Sequence, residues 1–299
     1  MLGRSEVARR PRDWSRAFHA LVRGTEHDEL EYARSACRAV GADPIVIDVL
    51  HRCQPEDVDR YLYLTEGLPL TNLPAWYLYR SMREQGLRVS LDGQGADEIL
   101  AGYASDLLRD LAVEGSWIRR PARTLDLVRT ARDLVRGSPY YQLRSADVEL
   151  LSLVRIPERL VRYHPGFRYI LPAYQGDTAM IAEATTLPPL NGILFLAVNQ
   201  GIRSLLERYD LLSLTNALEI RMPFLDWRLV SYSLSLPATS IVGGGFTKRI
   251  LREMIAAYLP AAVVRRKPKL QFQGPIKDVL TGPLKPWVDA HPSHRARVH

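Results

Sequence analysis

The first third of the chain alternates between short apolar stretches and longer stretches in which apolar residues recur at helical spacing. The short stretches predict strands at 17–22, 44–50 and 88–92. The longer stretches predict helices at 29–40, 55–65 and 73–85. Strands that alternate with helices of about ten residues favour a parallel sheet in an α/β layer. Because ligands of such sheets bind at the carboxyl ends of the strands, the residues that follow position 92 are candidates for a site.

The residues that flank the predicted helices support these boundaries. Asp28 is a suitable N-cap for the helix at 29–40, and Gly41 lies just past its end. Gly86 ends the helix at 73–85. A capping carboxylate before a helix and a glycine after it are typical of helix ends, so we expect the helices to stop there.

Beyond residue 107 the strand pattern nearly disappears. Apolar residues at helical spacing fill 107–136, 146–161 and 192–207. We therefore expect three parts, namely an irregular segment at 1–27, an α/β part at 28–105 and a mostly helical part at 106–299. The helical part is expected to fold back over the strand ends and not to form an independent domain.

The net charge of the chain limits the kinds of molecule that we expect it to bind. The 299 residues carry a formal net charge of +7, from 40 basic and 33 acidic side chains. This mild excess fits an enzyme that handles polyanionic phosphates, and it also fits weak binding of nucleic acid. The second interpretation lacks an interleaved aromatic platform or a known nucleic-acid module, so we expect no nucleic-acid partner.

The sequence carries no pattern that is typical of export or of a membrane span. No apolar run reaches the roughly 18–20 residues that span a bilayer, and the Arg-rich start has no apolar core behind it. We therefore expect a cytoplasmic protein with no membrane partner. Cys37 and Cys53 have no metal-ligand spacing, so neither structural zinc nor a disulfide framework is expected.

The stretch from Leu87 to Tyr103 carries most of the candidate chemistry. It reads LRVSLDGQGADEILAGY, a short strand followed by a glycine-containing turn and the start of a helix. Glycine allows a sharp turn and a close approach of a ligand to the backbone. Asp92, Asp97 and Glu98 place carboxylates at this turn, and carboxylates are hard oxygen ligands that suit Mg²⁺ with phosphates. The alternative is an acidic turn that only caps a helix.

This stretch closely resembles the SGEGADE and GGY segments of the glutamine-dependent (class B) asparagine synthetase family. Two further segments resemble family motifs, in the same order. The segment 208–226 contains RYDLLS and EIRMPFLD, and the segment 247–272 contains TKRILRE, LP and RKPKLQF. The resemblance runs from about residue 28 to about residue 276, which is most of the chain.

The resemblance implies a fold and a reaction. The fold would be a partial parallel-sheet layer of the PP-loop ATPase (adenine nucleotide alpha hydrolase-like, Rossmann-like) type, with 28–105 as the nucleotide-binding portion. The reaction would be attack of a carboxylate, aspartate by resemblance, on the α-phosphate of ATP. It would form an acyl-adenylate and pyrophosphate, and ammonia would then displace AMP to give asparagine. ATP and Mg²⁺ are the implied cofactors.

Roles for individual residues follow from the same resemblance. Asp97 would hold Mg²⁺ with pyrophosphate, and Lys248 would meet the phosphates and the developing charge. Asp92 and Gly93 would lie beside the nucleotide. The remaining motif positions would line or brace the cleft or act near the reacting groups, and they are Gln94, Glu98, Arg221, Asp226, Arg266 and Lys269.

Each of these roles has a structural alternative. Asp97 could cap a helix, and Lys248 could be a surface lysine at a helix start. For Glu219, Arg221 and Asp226 we favour a buried ion network without a catalytic role. The run of glycines at 243–245 lacks the Gly-Lys-Ser/Thr of a phosphate loop, so it predicts a flexible turn.

The sequence departs from the family pattern at Gln94, where the family usually carries glutamate. An amide retains hydrogen bonding but cannot act as a base, so we interpret this position as retuned. The segment at 66–69 also departs from the family's Glu-Pro pair, which leaves the acceptor pocket unassigned.

A heavier departure is the missing phosphate loop. No Ser-Gly-Gly-x-Asp-Ser sequence occurs in the 299 residues, and position 2 is Leu2, not the cysteine nucleophile of a glutaminase domain. Losing one preorganised donor typically costs about 10²–10³ in rate, so we expect this chain alone to be inactive. It would be an N-terminally truncated or split amidoligase, with a separate polypeptide supplying the loop and the glutaminase. The alternatives are a non-catalytic remnant or partner of a full-length paralogue, and a peptide-tailoring or macrolactam-forming member of the family.

Overall fold

A computed structural model describes the chain at residues 16–23, 28–67, 69–103, 106–107, 110, 121–135, 178–267 and 276–291. Residues 1–15 and 24–27 of the predicted irregular segment, the predicted helical stretch at 146–161 and Lys269 lie outside the described residues. The described part is a mixed α/β fold that is mostly helical and contains two small parallel sheets. The expected α/β class is confirmed at this level.

The first sheet is a strand–helix–strand unit near the start of the chain. Strand β1 (Ala17–Leu21) pairs in parallel with β2 (Pro44–Asp48), and helix α1 (Leu30–Ala39) connects them. The two predicted strands and the predicted helix are therefore confirmed. Asp28 Oδ1 accepts a hydrogen bond of 3.0 Å from the backbone N–H of Leu30, but the N-cap position is Glu29, one residue later than predicted, and its side chain makes no capping hydrogen bond.

The second strand ends earlier than its apolar pattern predicted. The prediction extended to residue 50, but β2 stops at Asp48 and helix α2 (Val49–Arg52) begins directly. The cause is the side chain of Asp48, which accepts a hydrogen bond of 3.2 Å from the backbone N–H of His51. Aspartate competes for nearby N–H groups in this way and thereby starts helices.

The two predicted helices that follow are confirmed. They are α3 (Pro55–Leu64) and α4 (Leu73–Glu84), and a 3₁₀ turn at Leu70–Asn72 precedes the second. Helix α4 is the most buried of the elements near the sheets, with Trp76, Tyr77 and Tyr79 each at most 2% exposed. It packs against β1 and leads the chain into the second sheet.

The second sheet joins distant parts of the sequence. Strand β3 (Val89–Leu91) pairs in parallel with β4 (Glu219–Arg221), so that Val89 lies opposite Glu219 and Leu91 opposite Arg221. The expectation that strands nearly vanish after residue 107 overlooked β4. This strand has only three residues and two of them are charged and exposed, so it has no apolar pattern.

Helices form the rest of the described chain. After β3 they are α5 (Ala96–Ile99), α6 (Pro121–Val135), α7 (Thr178–Thr186), α8 (Pro189–Leu196) and α9 (Arg203–Leu214). After β4 they are α10 (Trp227–Ser235), α11 (Ala238–Ile241), α12 (Arg249–Ile255), α13 (Ala261–Val264), α14 (Ile276–Thr281) and α15 (Lys285–Ala290). None of the helices in the described ranges is long and apolar enough to cross a bilayer.

The stretch at 192–207 is helical, as its spacing predicted, but it is not one continuous α-helix. Helix α8 ends at Leu196, a π-helical turn covers Ala197–Gly201, and α9 starts at Arg203. Helical periodicity does not distinguish a π turn from an α turn over five residues, so the sequence pattern missed the interruption.

Two hydrophobic clusters form the interior. The first cluster joins residues of β1, β2, α4 and α9 to the C-terminal helices and to Leu218, which directly precedes β4. The second cluster joins α5 to α6, α8 and α11. The two sheets therefore share one core although they do not pair with each other, and α5, which follows β3, belongs to the second cluster.

Candidate functional site

A tight turn connects β3 to α5 and carries the acidic motif. Gly95 adopts φ +94°, a left-handed conformation that favours glycine. The turn also packs closely, because a Cβ on Gly95 would lie 2.4 Å from Cδ2 of Leu225. Leu225 of the EIRMPFLD motif therefore packs against the DGQGADE turn. The pairing of β3 with β4 brings the two motifs together.

The centre of the candidate site is an ion pair between Asp97 and Lys248. The ammonium Nζ of Lys248 lies 2.6 Å from Oδ1 of Asp97. The two side chains are only 20% and 23% exposed, so the pair is shielded from most of the solvent. Residues 151 positions apart in the sequence thus meet at the carboxyl end of β3.

Gly102 fits closely around the Asp97 side chain. Its backbone N–H donates a hydrogen bond of 2.8 Å to the carbonyl of Asp97. A Cβ at position 102 would lie 1.7 Å from Oδ1 of Asp97, so only glycine leaves room for the carboxylate. The glycine that directly precedes Tyr103 in the second part of the resemblance therefore has a steric reason.

The backbone of Lys248 is in an uncommon conformation. Its φ is 52°, in the left-handed region, and it directly precedes α12. Its N–H donates a hydrogen bond of 3.2 Å to the carbonyl of Leu100, which follows α5. Non-glycine residues adopt this conformation only where their surroundings enforce it, and such residues cluster at functional sites.

Two donors orient the carboxylate of Asp92 at the end of β3. Tyr79 of α4 donates a hydrogen bond of 2.9 Å from its hydroxyl to Oδ2, and the backbone N–H of Gln94 donates one of 3.3 Å to Oδ1. Burial and the neighbouring Asp92 carboxylate both raise the pKa of Tyr79, so its hydroxyl stays a donor at neutral pH. Gly93 follows in an exposed position.

Gln94 and Glu98 face protein groups. Tyr209 interacts with the side chain of Gln94, and burial together with Asp92 raises the pKa of Tyr209 to about 12. Glu98 is only 5% exposed and accepts a hydrogen bond of 2.6 Å from the hydroxyl of Tyr103. Burial and the Glu98 carboxylate raise the pKa of Tyr103. The side chain of Glu98 therefore belongs to the interior, next to the ion pair.

The other predicted cations lie in separate ion pairs. Arg221 pairs with Glu219 over 2.7 Å, and the two side chains are 63% and 58% exposed. Arg266 pairs with Glu29 and stacks 4.3 Å from the ring centroid of Tyr32. The described residues thus bring together Asp97 and Lys248, while Arg221 and Arg266 have their own partners.

The predicted buried ion network of Glu219, Arg221 and Asp226 is wrong. Asp226 pairs with Arg228 over 2.7 Å, in a different ion pair from that of Glu219 and Arg221. All four side chains are at least 37% exposed. Strand β4 has charged residues at alternating exposed positions, which the motif alone did not reveal.

Arg252 lies one turn into α12 and interacts electrostatically with Asp97 of the ion pair. Its guanidinium donates a hydrogen bond of 2.8 Å to the carbonyl of Thr247 and another to the carbonyl of Val264. Burial lowers the pKa of Arg252, and the Asp97 carboxylate opposes this effect. A second cation therefore stands close enough to Asp97 to add to the positive potential around it.

Comparison of the sequence with known proteins shows the family of the chain. The sequence model of the asparagine synthase family matches residues 5–298 of the chain. The chain belongs to the asparagine synthase family. Its Asp97–Lys248 pair therefore joins two segments that resemble asparagine synthetase motifs.

Several curated relatives match most of the chain. A putative glutamine-hydrolyzing asparagine synthetase of Mycobacterium tuberculosis is 28% identical over 283 residues, which cover 88% of the chain and 41% of the relative. Glutamine-hydrolyzing asparagine synthetase 1 of Bacillus subtilis is 24% identical over 277 residues, which cover 87% and 42%. The chain thus spans about two fifths of the length of the curated relatives that it matches.

The acidic residues fit a magnesium ion only if phosphate oxygens and water complete its coordination shell. Among the described residues, no three His, Cys, Asp or Glu side chains are grouped so as to hold a metal ion. Mg²⁺ with nucleotides commonly uses only one or two carboxylates, and phosphate oxygens and water complete its shell. Asp97 meets that demand, since its carboxylate lies at the strand end beside a lysine. The residues therefore fit Mg²⁺ that arrives with phosphates.

Sequence reasoning missed the tyrosines that orient the acidic turn. Tyr79 and Tyr209 lie on helices, where a buried tyrosine is easily interpreted as a residue of the hydrophobic core. Tyr103 and Tyr209 were part of the matched motifs but received no role. A buried hydroxyl needs a partner, so a tyrosine on the apolar face of a helix near a motif was the available signal.

Proposed function

We propose that this chain is the synthetase part of an ATP-dependent amidoligase that adenylates a carboxylate and transfers it to an amine. The reaction class comes from the family, and aspartate is the acceptor by analogy with the names of the relatives. The observation that carries the proposal is the shielded Asp97–Lys248 pair at the carboxyl end of β3. A partial Rossmann-like layer, with β3 at its ligand-binding end, belongs to the same proposal.

Each residue of the turn has a proposed task. Lys248 would move from Asp97 to the phosphates and neutralise the negative charge that develops on the departing pyrophosphate. Asp97 would then hold Mg²⁺, which supplies charge neutralisation at the phosphate oxygens. Asp92 and Gly93 would lie beside the nucleotide, with Asp92 oriented by Tyr79.

The buried groups would have supporting tasks. Glu98 would add negative charge beneath the site, and Gln94 would donate or accept hydrogen bonds without acting as a base. Arg221, Arg266 and Lys269 would brace the cleft. For the first two, a phosphate would have to compete with the carboxylates that they now bind.

The proposed activity requires a phosphate loop from outside these 299 residues. No Ser-Gly-Gly-x-Asp-Ser sequence is present in them. Among the described residues the two parallel sheets share one core and contain two strands each, which supports the proposal that a further strand belongs to the layer. Parallel sheets are usually larger and buried on both faces, whereas Leu91 of β3 is 72% exposed.

Binding of inorganic pyrophosphate with Mg²⁺, measured by calorimetry on the full chain, tests the phosphate site. We expect Lys248→Met to weaken binding by about tenfold or more, since it removes a charge-assisted contact. Asp97→Asn should leave binding that no longer depends on Mg²⁺. Lys285→Met is the matched control, because Lys285 pairs with Asp289 on the exposed face of α15.

Two results would contradict the phosphate site. One is an unchanged affinity of the Lys248→Met variant, and the other is an equal loss in the Lys285→Met control. If the chain binds no pyrophosphate and instead co-purifies with a full-length paralogue, the alternative of a non-catalytic partner gains support.

The reaction itself is tested by AMP formation from ATP, aspartate and ammonium. We expect none from the chain alone and AMP once a polypeptide with the Ser-Gly-Gly-x-Asp-Ser loop is added. Production of AMP by the chain alone would refute the requirement for the loop. AMP formation with a peptide amine but not with ammonium would favour the peptide-tailoring alternative.

A further inference from the structure

The loop that presents Lys248 is tied to a helix from a distant part of the sequence. Residues 243–247 form this presenting loop, in which Gly243 and Phe246 pair as an isolated antiparallel bridge through hydrogen bonds of 3.0 and 3.2 Å. Asp126 of α6 accepts a hydrogen bond of 3.0 Å at Oδ1 from the backbone N–H of Gly245. This contact spans 119 positions in the sequence.

A second contact with the presenting loop region lies about two helical turns further along α6. Asp133 accepts a contact of 2.8 Å at Oδ2 from the ammonium of Lys267. That ammonium lies 5.0 Å from the ring centroid of Phe246, and the guanidinium of Arg252 lies 5.3 Å from the same ring. Phe246 of the presenting loop is thus held by two cations, one of which is fixed by α6.

Helix α6 packs against the core with the face that lies next to Asp126 and Asp133. Its residues Leu127, Ala131 and Leu134 are at most 6% exposed and pack in the cluster that contains Ile99 and Leu100 of the acidic turn region. Residues spaced by three and four lie on one face of a helix, so this face packs inward while Asp126 and Asp133 form the neighbouring face.

We propose that Asp126 is a positioning residue for Lys248. By accepting the Gly245 N–H, it fixes the presenting loop and thereby the left-handed backbone of Lys248, whose ammonium reaches Asp97. Asp133 supports the same loop through Lys267 and Phe246. The importance of this geometry for catalysis rests on the proposed function, but the geometry itself is tested without any nucleotide.

Amide hydrogen exchange of the full chain tests this inference. In the native chain the Gly245 N–H should be protected. In Asp126→Ala the exchange of the Gly245 and Lys248 amides should accelerate by about threefold to tenfold, because one hydrogen bond is lost. Limited acetylation, read by mass spectrometry, should also modify Lys248 faster. The midpoint of global unfolding should stay nearly unchanged.

Asp126→Asn is the conservative variant, since its amide carbonyl can still accept the N–H, and it should restore slow exchange. Arg129→Ala is the matched control on the same helix, at an exposed position. Should Asp126→Ala fail to fold, Asp126→Gln displaces the acceptor by one methylene and should give the same local acceleration.

Three results would overturn the inference. They are an unprotected Gly245 amide in the native chain, native exchange and acetylation in both Asp126→Ala and Asp126→Gln, and an equal acceleration in Arg129→Ala. Pyrophosphate binding does not enter this test. A chain with no phosphate affinity but with the expected exchange pattern would refute the proposed function and leave the positioning role of Asp126 intact.

Discussion

At the scale of single residues, the two glycines of the acidic turn have different reasons to be glycine. Gly95 has φ +94°, and a Cβ there would meet Leu225 at 2.4 Å. Gly93 has no neighbouring atom within 4 Å of a built Cβ and does not adopt the left-handed conformation. Sterics therefore require glycine at position 95, whereas no contact of the described residues requires glycine at position 93.

We expect Gly95→Ala to destabilise the chain by about 2–4 kcal/mol, from backbone strain and the contact with Leu225. Gly93→Ala should change stability by less than about 0.5 kcal/mol. Urea unfolding followed by circular dichroism measures both variants. Equal unfolding midpoints for the two would show that the turn does not depend on Gly95.

The residue scale also shows what a motif cannot specify. The resemblance assigned both Asp97 and Glu98 to the site, but consecutive residues of a helix point about 100° apart. Asp97 therefore faces Lys248, while Glu98 points inward to Tyr103. Which of two adjacent carboxylates meets the lysine depends on the packing of α5, and the sequence does not contain that orientation explicitly.

At the scale of elements, Asp226 shows how one side chain starts a helix. Its carboxylate accepts a hydrogen bond of 3.0 Å from the backbone N–H of Arg228 and two from the guanidinium of the same residue, at 2.9 and 2.7 Å. These hydrogen bonds lower the pKa of Asp226 to about 2. The residue that the resemblance placed in the cleft is thus the N-cap of α10.

We expect the Asp226 carboxyl to titrate near pH 2, as measured by its carbon chemical shift. A lowered pKa in the folded state contributes stability that is complete above the ordinary value of 3.8 and is lost as the pH falls through about 2. Arg228→Met should move the midpoint up towards 3.8. Arg203→Met, which breaks an exposed pair with Glu207, is the control and should leave it unchanged. An unshifted midpoint in Arg228→Met would contradict the hydrogen bonds between the Arg228 guanidinium and the Asp226 carboxylate.

At the scale of the whole molecule, the C-terminal helices close the first core cluster. Trp287 of α15 is 7% exposed and donates a hydrogen bond of 2.8 Å from Nε1 to Oδ1 of Asp59 in α3. Val279 and Leu284 are at most 2% exposed in the same cluster. The last described residues therefore pack against helices from the first quarter of the chain.

Trp287→Ala should destabilise the chain by about 3–5 kcal/mol, because removal of a buried aromatic side chain leaves a cavity. Trp227 is 74% exposed, so Trp227→Ala is the matched control and should change stability by less than about 0.5 kcal/mol. Chemical unfolding measures both. A small effect of Trp287→Ala would mean that the C-terminal helices add little to the core.

The sequence by itself determined the local elements and the membership of the family. Strands β1, β2 and β3 and helices α1, α3 and α4 were predictable because apolar periodicity and capping residues act between neighbours in the chain. The acidic turn stays a predicted site, because glycines and carboxylates at a strand end also suit a turn that only caps a helix. The division of the chain at residue 105 stays a prediction.

Only the tertiary structure decided which residues meet. Strand β4 pairs with β3 across about 130 positions, Lys248 reaches Asp97, and Asp126 holds Gly245. These contacts depend on how helices pack in the second core cluster, and packing depends on the shapes of many side chains at once. Local pattern carries no information on such pairings, because each partner alone has the sequence of an ordinary strand, helix or turn. For Asp97 and Lys248 only the family resemblance had placed both residues at the same phosphates.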